Sequence, residues 1–299
     1  MRMTERVSQK RSSQRSRLKI RMASRLYKAY DAFMQKLMPE KIEAELPVLQ
    51  KLQLRPIAYF DTLTSTNRYL LENAEPLAEG VQICLAEQQS AGQAQHGRNW
   101  VSPYACNMYL SILWPFQHKS LAQLSGLSIA VGVAIVRALI SYGLNSDVLH
   151  LKWPNDIYAN GKKLCGILCQ TAKQQDQVLP CVIGIGLNII MPAEIQIDQP
   201  YTDVHSLSGQ TPDRNRIIGC CIREVLTACE QYSEQALMPF LAEFRRHDYL
   251  LGKSLTLTIG QQQSHGTSQG IDAEGYLLFK DAAGRIKRFA SGEASIKKA

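Results

Sequence analysis

Apolar residues recur at three- and four-residue spacing in several parts of the chain, which is the pattern of helices that bury one face. Thr64-Ser65-Thr66 precedes one of these segments, and its hydroxyls are typical helix N-caps. Gly143 follows another, where a glycine commonly ends a helix. The predicted helices cover about Tyr27 to Leu52 with a break at Pro39, a segment containing Tyr69, Leu70 and Leu71, then Ser120 to Ser141, Thr211 to Tyr232 and Ser233 to Arg245.

Short apolar or alternating runs elsewhere predict β-strands. Asn160-Gly161 separates two such runs and is a strong signal for a tight hairpin. After Leu251-Gly252 the apolar positions alternate and glycines follow at short intervals, which predicts a small β-barrel. The other predicted strands are Ile57 to Phe60, Val81 to Glu87, Asn107 to Trp114, Val148 to Lys152, Asn155 to Ala159, Leu164 to Cys169 and Val178 to Ile190.

These elements predict an α+β fold, in which a mixed β-sheet has helices packed on it and a small β-barrel follows. We place a basic arm at residues 1–30, a helical lead-in at 31–54, the main domain at 55–249 and the barrel at 250–299. The length of 299 residues suffices for one large domain and a small one. Polar residues interrupt the longest apolar stretch, Leu127 to Ile140, so no membrane association is expected.

The positive charge of the chain is concentrated at its N-terminus. Residues 1–30 hold ten basic side chains and one acid, so the arm carries +9 and leaves −1 of the total +8 to the remaining residues. A nucleic-acid groove in the folded body is therefore not expected. Three interpretations of the arm stay open: a solvated extension or a start codon assigned too early, an anchor on nucleic acid or an acidic membrane, and an organelle transit peptide.

The chain contains eight cysteines, and none forms a Cys-x-x-Cys pair or has a histidine at metal-ligand spacing. Four of them fall in apolar, strand-like runs: Cys84, Cys165, Cys169 and Cys181. We expect buried free thiols in a reducing cytoplasm rather than disulfides or a zinc site.

One short segment concentrates polar chemistry at the end of a predicted strand. In Lys152-Trp153-Pro154-Asn155-Asp156, the Trp-Pro step forces an extended turn, after which an amide and a carboxylate follow. A hairpin through Asn160-Gly161 would bring Lys163 back beside Asn155. Lysines gathered at one spot suit an anion such as a phosphate or carboxylate. A lysine pair alone is more often simply solvated, but the full pentapeptide is far more specific.

The order and spacing of five motifs resemble those of the biotin protein ligases, over about residues 55 to 299. The resemblance implies a catalytic domain like that of class II synthetases, followed by an SH3-like β-barrel. The motifs are Ser65-Thr66-Asn67, a loop of glutamine and glycine ending in Trp100, Lys152-Trp153-Pro154-Asn155-Asp156, Lys163-Leu164-x-Gly166-Ile167-Leu168 and Gly184-x-Gly186-x-Asn188, with Ser291-Gly292-Glu293 in the expected barrel.

The resemblance also implies a two-step reaction. Biotin and Mg-ATP would give biotinyl-adenylate and diphosphate, and a lysine of a carrier protein would then accept the biotin. The expected partner is the biotin carboxyl carrier protein, usually a subunit of acetyl-CoA carboxylase, and the expected compartment is the cytoplasm. Mg²⁺ would arrive with ATP rather than in a cage of protein ligands. Members of the family can pair through edge strands of the sheet, so monomer and homodimer both stay open.

Carried over residue by residue, the resemblance implies that Lys163 contacts the biotin carboxylate and the α-phosphate as the main catalytic side chain. Ser65, Thr66 and Asn67 would meet the ureido ring, although the first two also suit plain helix capping. The implied biotin-binding residues are Ser65, Thr66, Asn67, Gln89, Gln93, Ala94, Gln95, Lys163, Gly166, Gly184 and Gly186, and the implied ATP-binding residues are Gly92, Arg98, Trp100, Lys152, Asn155 and Asn188.

The glycine-rich loop departs from the family pattern. Where the family has Gly-Arg-Gly-Arg, this chain has Gly92-Gln93-Ala94-Gln95. Glutamine retains a donor but lacks the charge and the two-pronged geometry of arginine. Two hypotheses stay open: a working ligase with a loosened loop, or a degenerate ligase fold that binds biotin or another acyl ligand without efficient catalysis. A lipoate or octanoate ligase is a third, but the Lys-Trp-Pro-Asn-Asp string argues against it.

Some members of the family begin with a winged helix-turn-helix and repress transcription. That module needs more residues than the arm and the one or two helices predicted ahead of residue 55. We therefore expect no sequence-specific DNA binding, whereas nonspecific binding through the basic arm stays open.

Overall fold

The computed structural model describes residues 35–73, 80–174, 176–259, 262–291 and 295–298, so the basic arm, the start of the lead-in, Gly292 and Glu293 lie outside the described residues. From Lys36 onward the chain forms one compact unit. Its α-helices are α1 Pro39–Ala44, α2 Val48–Gln53, α3 Thr66–Glu72, α4 Leu127–Tyr142, α5 Val204–Ser208, α6 Arg214–Gln235 and α7 Leu241–His247. Its strands are β1 Ala58–Leu63, β2 Gln82–Gln89, β3 Met108–Gln117, β4 Leu149–Lys152, β5 Asp156–Ala159, β6 Lys162–Thr171, β7 Val178–Leu187, β8 Ser254–Ile259, β9 Gln262–Ile271, β10 Leu277–Asp281, β11 Ile286–Phe289 and β12 Ser295–Lys298.

The first seven strands form one sheet in the order β1-β2-β3-β7-β6-β5-β4. β1 is parallel to β2 and the other neighbours are antiparallel, which confirms the mixed sheet. β3 and β7 are buried along nearly their whole length, and ten residue pairs join them in register. Strands covered on both faces need apolar residues at every position, which explains why these two read as continuous apolar runs.

The helix predicted from Ser120 to Ser141 is in fact two elements. Ser120 caps a short 3₁₀ turn, Leu121–Leu124, and α4 begins after Gly126. A side chain on Gly126 would come within 2.9 Å of the Leu237 side chain, so this close packing holds a break in the helix. The predicted end of this helix is confirmed, because Gly143 has a left-handed φ of 119° and ends α4.

The same segment is long and apolar enough to be compared with a membrane span. Leu121–Tyr142 has the length and the mean hydropathy, 2.0, of a membrane span, although the interrupted apolar run predicted otherwise. However, 72% of its most apolar window is buried inside the protein. α4 packs on α6 and on strands of the sheet. Its apolar sequence is thus accounted for by the core.

The β5–β6 hairpin forms as predicted. Asn160 and Gly161 have φ values of 50° and 76°, the pair of left-handed residues that a two-residue type I′ turn requires. The turn pairs Tyr158 with Lys163 and Asp156 with Gly166, with one irregularity between them. Lys163 therefore returns to the strand end that carries Asp156.

The last five strands form a separate antiparallel sheet in the order β11-β10-β9-β8-β12. Leu255, Leu257, Leu277 and Phe279 supply its buried side chains, as the alternating pattern predicted. This sheet confirms the C-terminal β-domain.

Candidate active site

A pocket on the face of the sheet opposite α4 brings together fourteen of the predicted site residues. It lies over β3, β7 and β6, between the start of α3 and the loop that precedes Trp100. The predicted residues that line it are Ser65, Thr66, Asn67, Gln89, Gln93, Ala94, Gln95, Arg98, Trp100, Asn155, Lys163, Gly166, Gly184 and Gly186. Sequence reasoning missed Asn99, Tyr109, Leu110, Ile167, Leu168, Ile185 and Gln199, which also line it.

One end of the pocket is a buried polar network at the N-terminus of α3. The Ser65 hydroxyl accepts a hydrogen bond from the backbone N–H of Arg68 at 3.4 Å, which confirms the predicted cap. The side-chain amide oxygen of Gln89 accepts from the Thr66 backbone N–H at 2.9 Å and from the Thr66 hydroxyl at 3.2 Å. Ser65 and Thr66 therefore cap the helix and line the pocket at once.

Ser111 completes this network and was missed by the sequence analysis. Its hydroxyl is fully buried and lies 2.7 Å from the Thr66 hydroxyl and 2.6 Å from the Asn67 amide oxygen. The Asn67 amide nitrogen in turn donates to the Leu168 carbonyl and the Gln170 side chain. A lone serine within an apolar strand is the signal that could have revealed Ser111, because buried polar groups need partners.

Hydrogen bonds connect the polar end to the glycine-rich loop. The Gln89 amide nitrogen donates to the Ser102 hydroxyl at 3.2 Å, and that hydroxyl donates to the Trp100 carbonyl at 3.1 Å. The backbone N–H of Trp100 donates to the Gly92 carbonyl at 2.9 Å, which closes the base of the loop.

The loop itself is folded as a small hairpin without its family arginines. The Ala94 N–H donates to the Arg98 carbonyl at 2.8 Å, and the Arg98 N–H donates to the Gln95 carbonyl. His96 and Gly97 turn the chain with positive φ values of 57° and 69°. Since Gln93 and Gln95 are neutral, Lys163 and Arg98 are the cationic side chains among the described residues that line the pocket.

The Trp100 indole lies across the pocket floor. A side chain on Gly166 would come within 2.8 Å of the ring, and one on Gly186 would come closer still. Gly184 similarly makes room for the Asn67 side chain. The Trp100 ring nitrogen is buried and has no hydrogen-bond partner among the described residues. The three motif glycines thus accommodate site side chains.

Lys163 is buried and paired. Its ammonium lies 2.7 Å from the Asp156 carboxylate and 5.5 Å from the centre of the Trp100 ring. Its backbone N–H donates to the Pro200 carbonyl at 3.0 Å, and its carbonyl accepts from Thr202 at 2.9 Å. The charge of Lys163 is therefore held at one place in the pocket wall, beside a carboxylate to which the sequence analysis had given no role.

Three predicted ATP-binding residues do not line this pocket. The Lys152 ammonium lies 3.2 Å from the Tyr158 hydroxyl and over the Tyr158 ring, and burial with the nearby charge of Asp156 raises the pKa of that phenol. Asn188 is buried and donates to the Thr202 carbonyl at 3.1 Å. Gly92 is buried under the loop. Asn155 does line the pocket, and its amide donates to the Ile167 carbonyl at 2.7 Å.

The described part of the chain contains no group of three or more His, Cys, Asp or Glu side chains that could hold a metal ion. Its cysteines are free thiols, and burial raises the pKa of Cys165 and Cys229 well above the usual value. The two lysines and the arginine near the pocket instead favour an anionic ligand.

Comparison with known proteins finds matches to both domains of the chain. Residues 59–188 match the biotin/lipoate A/B protein ligase family, and residues 250–297 match the biotin protein ligase C-terminal domain. The bifunctional ligase/repressor BirA of Escherichia coli is 34% identical over 254 residues, which cover 84% of this chain and 77% of that protein. The biotin–[acetyl-CoA-carboxylase] ligase of Mycobacterium tuberculosis is 31% identical over 77% of this chain and 84% of its own length.

Solved structures show the same architecture. The biotin protein ligase of Aquifex aeolicus in complex with biotin and ATP superposes with a TM-score of 0.68 and 25% identity, over 83% of this chain and 99% of that one. With the two domains matched in order, and with relatives above 30% identity along most of the chain, the protein belongs to the biotin protein ligase family.

Proposed function

We propose that this chain is an ATP-dependent ligase that forms biotinyl-5′-AMP and transfers the biotin to a lysine of a biotin carboxyl carrier protein. The supporting observation is the polarity of the pocket. Hydroxyl and amide groups gather at the α3 end, and Leu168, the Trp100 ring and the Lys163 ammonium line the same pocket. Biotin has matching groups: a ureido ring that needs hydrogen bonds, an apolar body and a carboxylate.

In the first step the biotin carboxylate attacks the α-phosphate of ATP, and diphosphate leaves. Negative charge builds on the phosphate oxygens in the transition state, so a fixed ammonium beside them lowers the barrier. Lys163 is the group that meets this requirement, because its backbone and side chain are both anchored. Asp156 holds the ammonium in place before the anion arrives.

In the second step a carrier lysine attacks the mixed anhydride, and AMP leaves. The pocket contributes by holding the acyl carbon in position and by keeping the phosphate charge balanced. Trp100, Arg98 and Asn155 line the nucleotide side in this proposal. Lys152, Gly92 and Asn188 support it from outside the pocket, and Mg²⁺ is bound with the phosphates of ATP.

The partner that follows from this activity is the carrier subunit of acetyl-CoA carboxylase, and we place the reaction in the cytoplasm. We propose no sequence-specific DNA binding for the described body, since the residues after the arm carry a net charge near zero. Both a monomer and a homodimer are compatible with the proposed chemistry.

The test is to incubate the protein with biotin, Mg-ATP and a carrier domain, and to measure protein-bound biotin. Labelling that requires ATP supports the proposal. If the carrier stays unlabelled while a known ligase labels the same preparation, the proposal is wrong. Retained biotin binding, measured by calorimetry, would then favour the degenerate ligase fold.

A second test uses the neutral loop. A variant with Gln95→Arg restores a cation at the pocket rim, and a charge-assisted hydrogen bond exceeds a neutral one by roughly 1 kcal/mol. We expect slower release of the adenylate by about five- to tenfold, at ~1.4 kcal/mol per decade. Gln95→Lys is the control, because it adds charge without the two-pronged geometry. Unchanged release in both variants would show that the loop charge is not what retains the adenylate.

A further inference from the structure

Trp153, in the Lys152–Asp156 segment, does not line the pocket. It is 2% exposed, and its indole N–H donates to the Gly275 carbonyl at 2.9 Å. Gly275 belongs to a turn between β9 and β10 of the C-terminal sheet. The segment that presents Asn155 and Asp156 is therefore attached directly to the second domain.

The turn at residues 272–276 is itself rigidly built. The Asp272 carboxylate accepts hydrogen bonds from the backbone N–H groups of Glu274 and Tyr276, each at 3.0 Å. The same carboxylate pairs with Arg288 at 2.6 Å. This turn is thus preformed within the C-terminal domain, before any contact with the sheet domain is counted.

The turn fits closely into the sheet domain at Gly275. Its φ is +86°, and a side chain there would come within 3.0 Å of the Gly126 backbone and 3.1 Å of the Ile129 side chain. The Ser125 hydroxyl also donates to the Glu274 carbonyl at 2.8 Å. Gly275 therefore has no room for a side chain where the two backbones approach this closely.

Beyond Trp153, two more contacts fix the same segment. The Ser128 hydroxyl of α4 donates to the Pro154 carbonyl at 3.0 Å. Asn155 and Ile167 of β6 exchange two hydrogen bonds, one from the Asn155 amide and one from the Ile167 N–H at 2.9 Å. The segment is held at three successive residues by three different elements, and Asp156 directly follows.

We propose that the 272–276 turn is a positioning element for the ligase reaction, which acts through the positioning residue Trp153 on Asn155 and on the Asp156–Lys163 pair. This inference rests on the function proposed above. It gives the C-terminal domain a part in the reaction although none of its described residues lines the pocket. Displacing the turn shifts Trp153, and the shift passes along the short segment to the counter-ion of Lys163.

The first test uses two glycines of the same domain. Gly275→Ala adds a methyl group that meets Gly126, whereas Gly284→Ala adds one at an equally left-handed φ of +80° where the nearest atom is 4.0 Å away. Both variants carry similar backbone strain. We expect kcat for adenylation at saturating biotin and ATP to fall about tenfold or more in Gly275→Ala only, because small displacements of reacting groups are costly.

The second test removes a single hydrogen bond. Trp153→Phe keeps an aromatic ring but loses the N–H that Gly275 accepts. Trp114→Phe is the matched control, since the buried Trp114 donates its N–H to Ser233 at 3.2 Å and lies outside the pocket. From the loss of one hydrogen bond we expect kcat to fall roughly three- to tenfold in Trp153→Phe and to stay unchanged in Trp114→Phe. Both variants should lose a similar amount of thermal stability.

Hydrogen exchange separates this inference from the proposed function. In ligand-free protein, the peptide covering residues 153–168 should exchange faster in Gly275→Ala than in wild type, and at the wild-type rate in Gly284→Ala. If wild type does not biotinylate the carrier, the proposed function fails and the exchange result still decides whether the turn positions this segment. Normal kcat and normal exchange in folded Gly275→Ala and Trp153→Phe would overturn the inference.

Discussion

At the scale of single residues, the site depends on a few charges and on space left by glycines. Lys163 supplies the buried cation and Asp156 its counter-ion. Gly166 and Gly186 leave room for the Trp100 ring. A charge fixed in a poorly hydrated wall acts more strongly on an anion than a solvated one does, because less water screens it. The neutral loop makes this one ammonium more important.

The first prediction concerns that ammonium. Lys163→Ala should lower the rate of biotinyl-adenylate formation by about a hundred- to a thousandfold, the range for losing one donor to a developing oxyanion. Lys162→Ala is the control, because Lys162 is the exposed neighbour on the same strand. Biotin-dependent exchange of labelled diphosphate into ATP measures the step. Near-normal exchange in Lys163→Ala would refute the assignment.

Sequence patterns located most of the pocket but not all of it. Motif residues such as Asn67 and Lys163 were found because their spacing is specific. Gln199 and Tyr109 were missed, since each lies in a strand or loop whose neighbours give no chemical signal. Ser111 was missed although it is a lone serine in an apolar strand. Their positions depend on strand order and register, which follow from long-range packing rather than from local pattern. Lys152 is the opposite case: the sequence motif predicted it as a site residue, but its side chain packs on Tyr158 and does not line the pocket.

At the scale of elements, helices and strands position the site by packing and by ion pairs between them. α4 and α7 are joined by Arg137 and Glu243, with distances of 2.9 Å and 2.5 Å between the guanidinium nitrogens and the two carboxylate oxygens. Arg137 also lies over the Phe240 ring. This two-pronged pair ties the helix under the sheet to the helix that leads into the C-terminal domain.

The second prediction tests that pair through pH. Hydrogen bonding to Arg137 lowers the pKa of Glu243 below 4.5, so the pair stabilises the folded state above that pH and the stabilisation is lost as pH falls through the lowered value. Because both side chains are partly exposed, Glu243→Gln should cost only about 0.5–1 kcal/mol at neutral pH. Urea unfolding at neutral pH and at about pH 3 measures this.

The control for the pair is Glu234→Gln, which alters an exposed carboxylate on α6. Glu234→Gln should change the free energy of unfolding little at either pH. A Glu243→Gln penalty that is equally large at low pH would contradict the ionic origin of the effect.

At the scale of the whole molecule, the excess positive charge and the pocket residues lie in separate parts of the chain. The pocket is built from residues between Ser65 and Gln199, whereas residues 1–30 carry +9. The alternating apolar pattern predicted the C-terminal β-domain, because burial on one face imposes a period of two on a strand. It could not predict that the C-terminal turn at Gly275 reaches Trp153, since that contact joins residues 122 apart in the chain.

The third prediction follows from this separation of charge. A variant that lacks residues 1–21 should keep kcat and KM for biotin and ATP within about twofold, because no pocket residue is removed. If the full chain binds duplex DNA, the affinity should fall steeply with salt and show no sequence preference, and the truncated chain should lose it, since counter-ion release depends on the basic side chains. Filter binding across salt concentrations, with the ligation assay in parallel, measures both. DNA binding that survives the truncation would place a nucleic-acid surface on the folded body, against its net charge of −1 after residue 30.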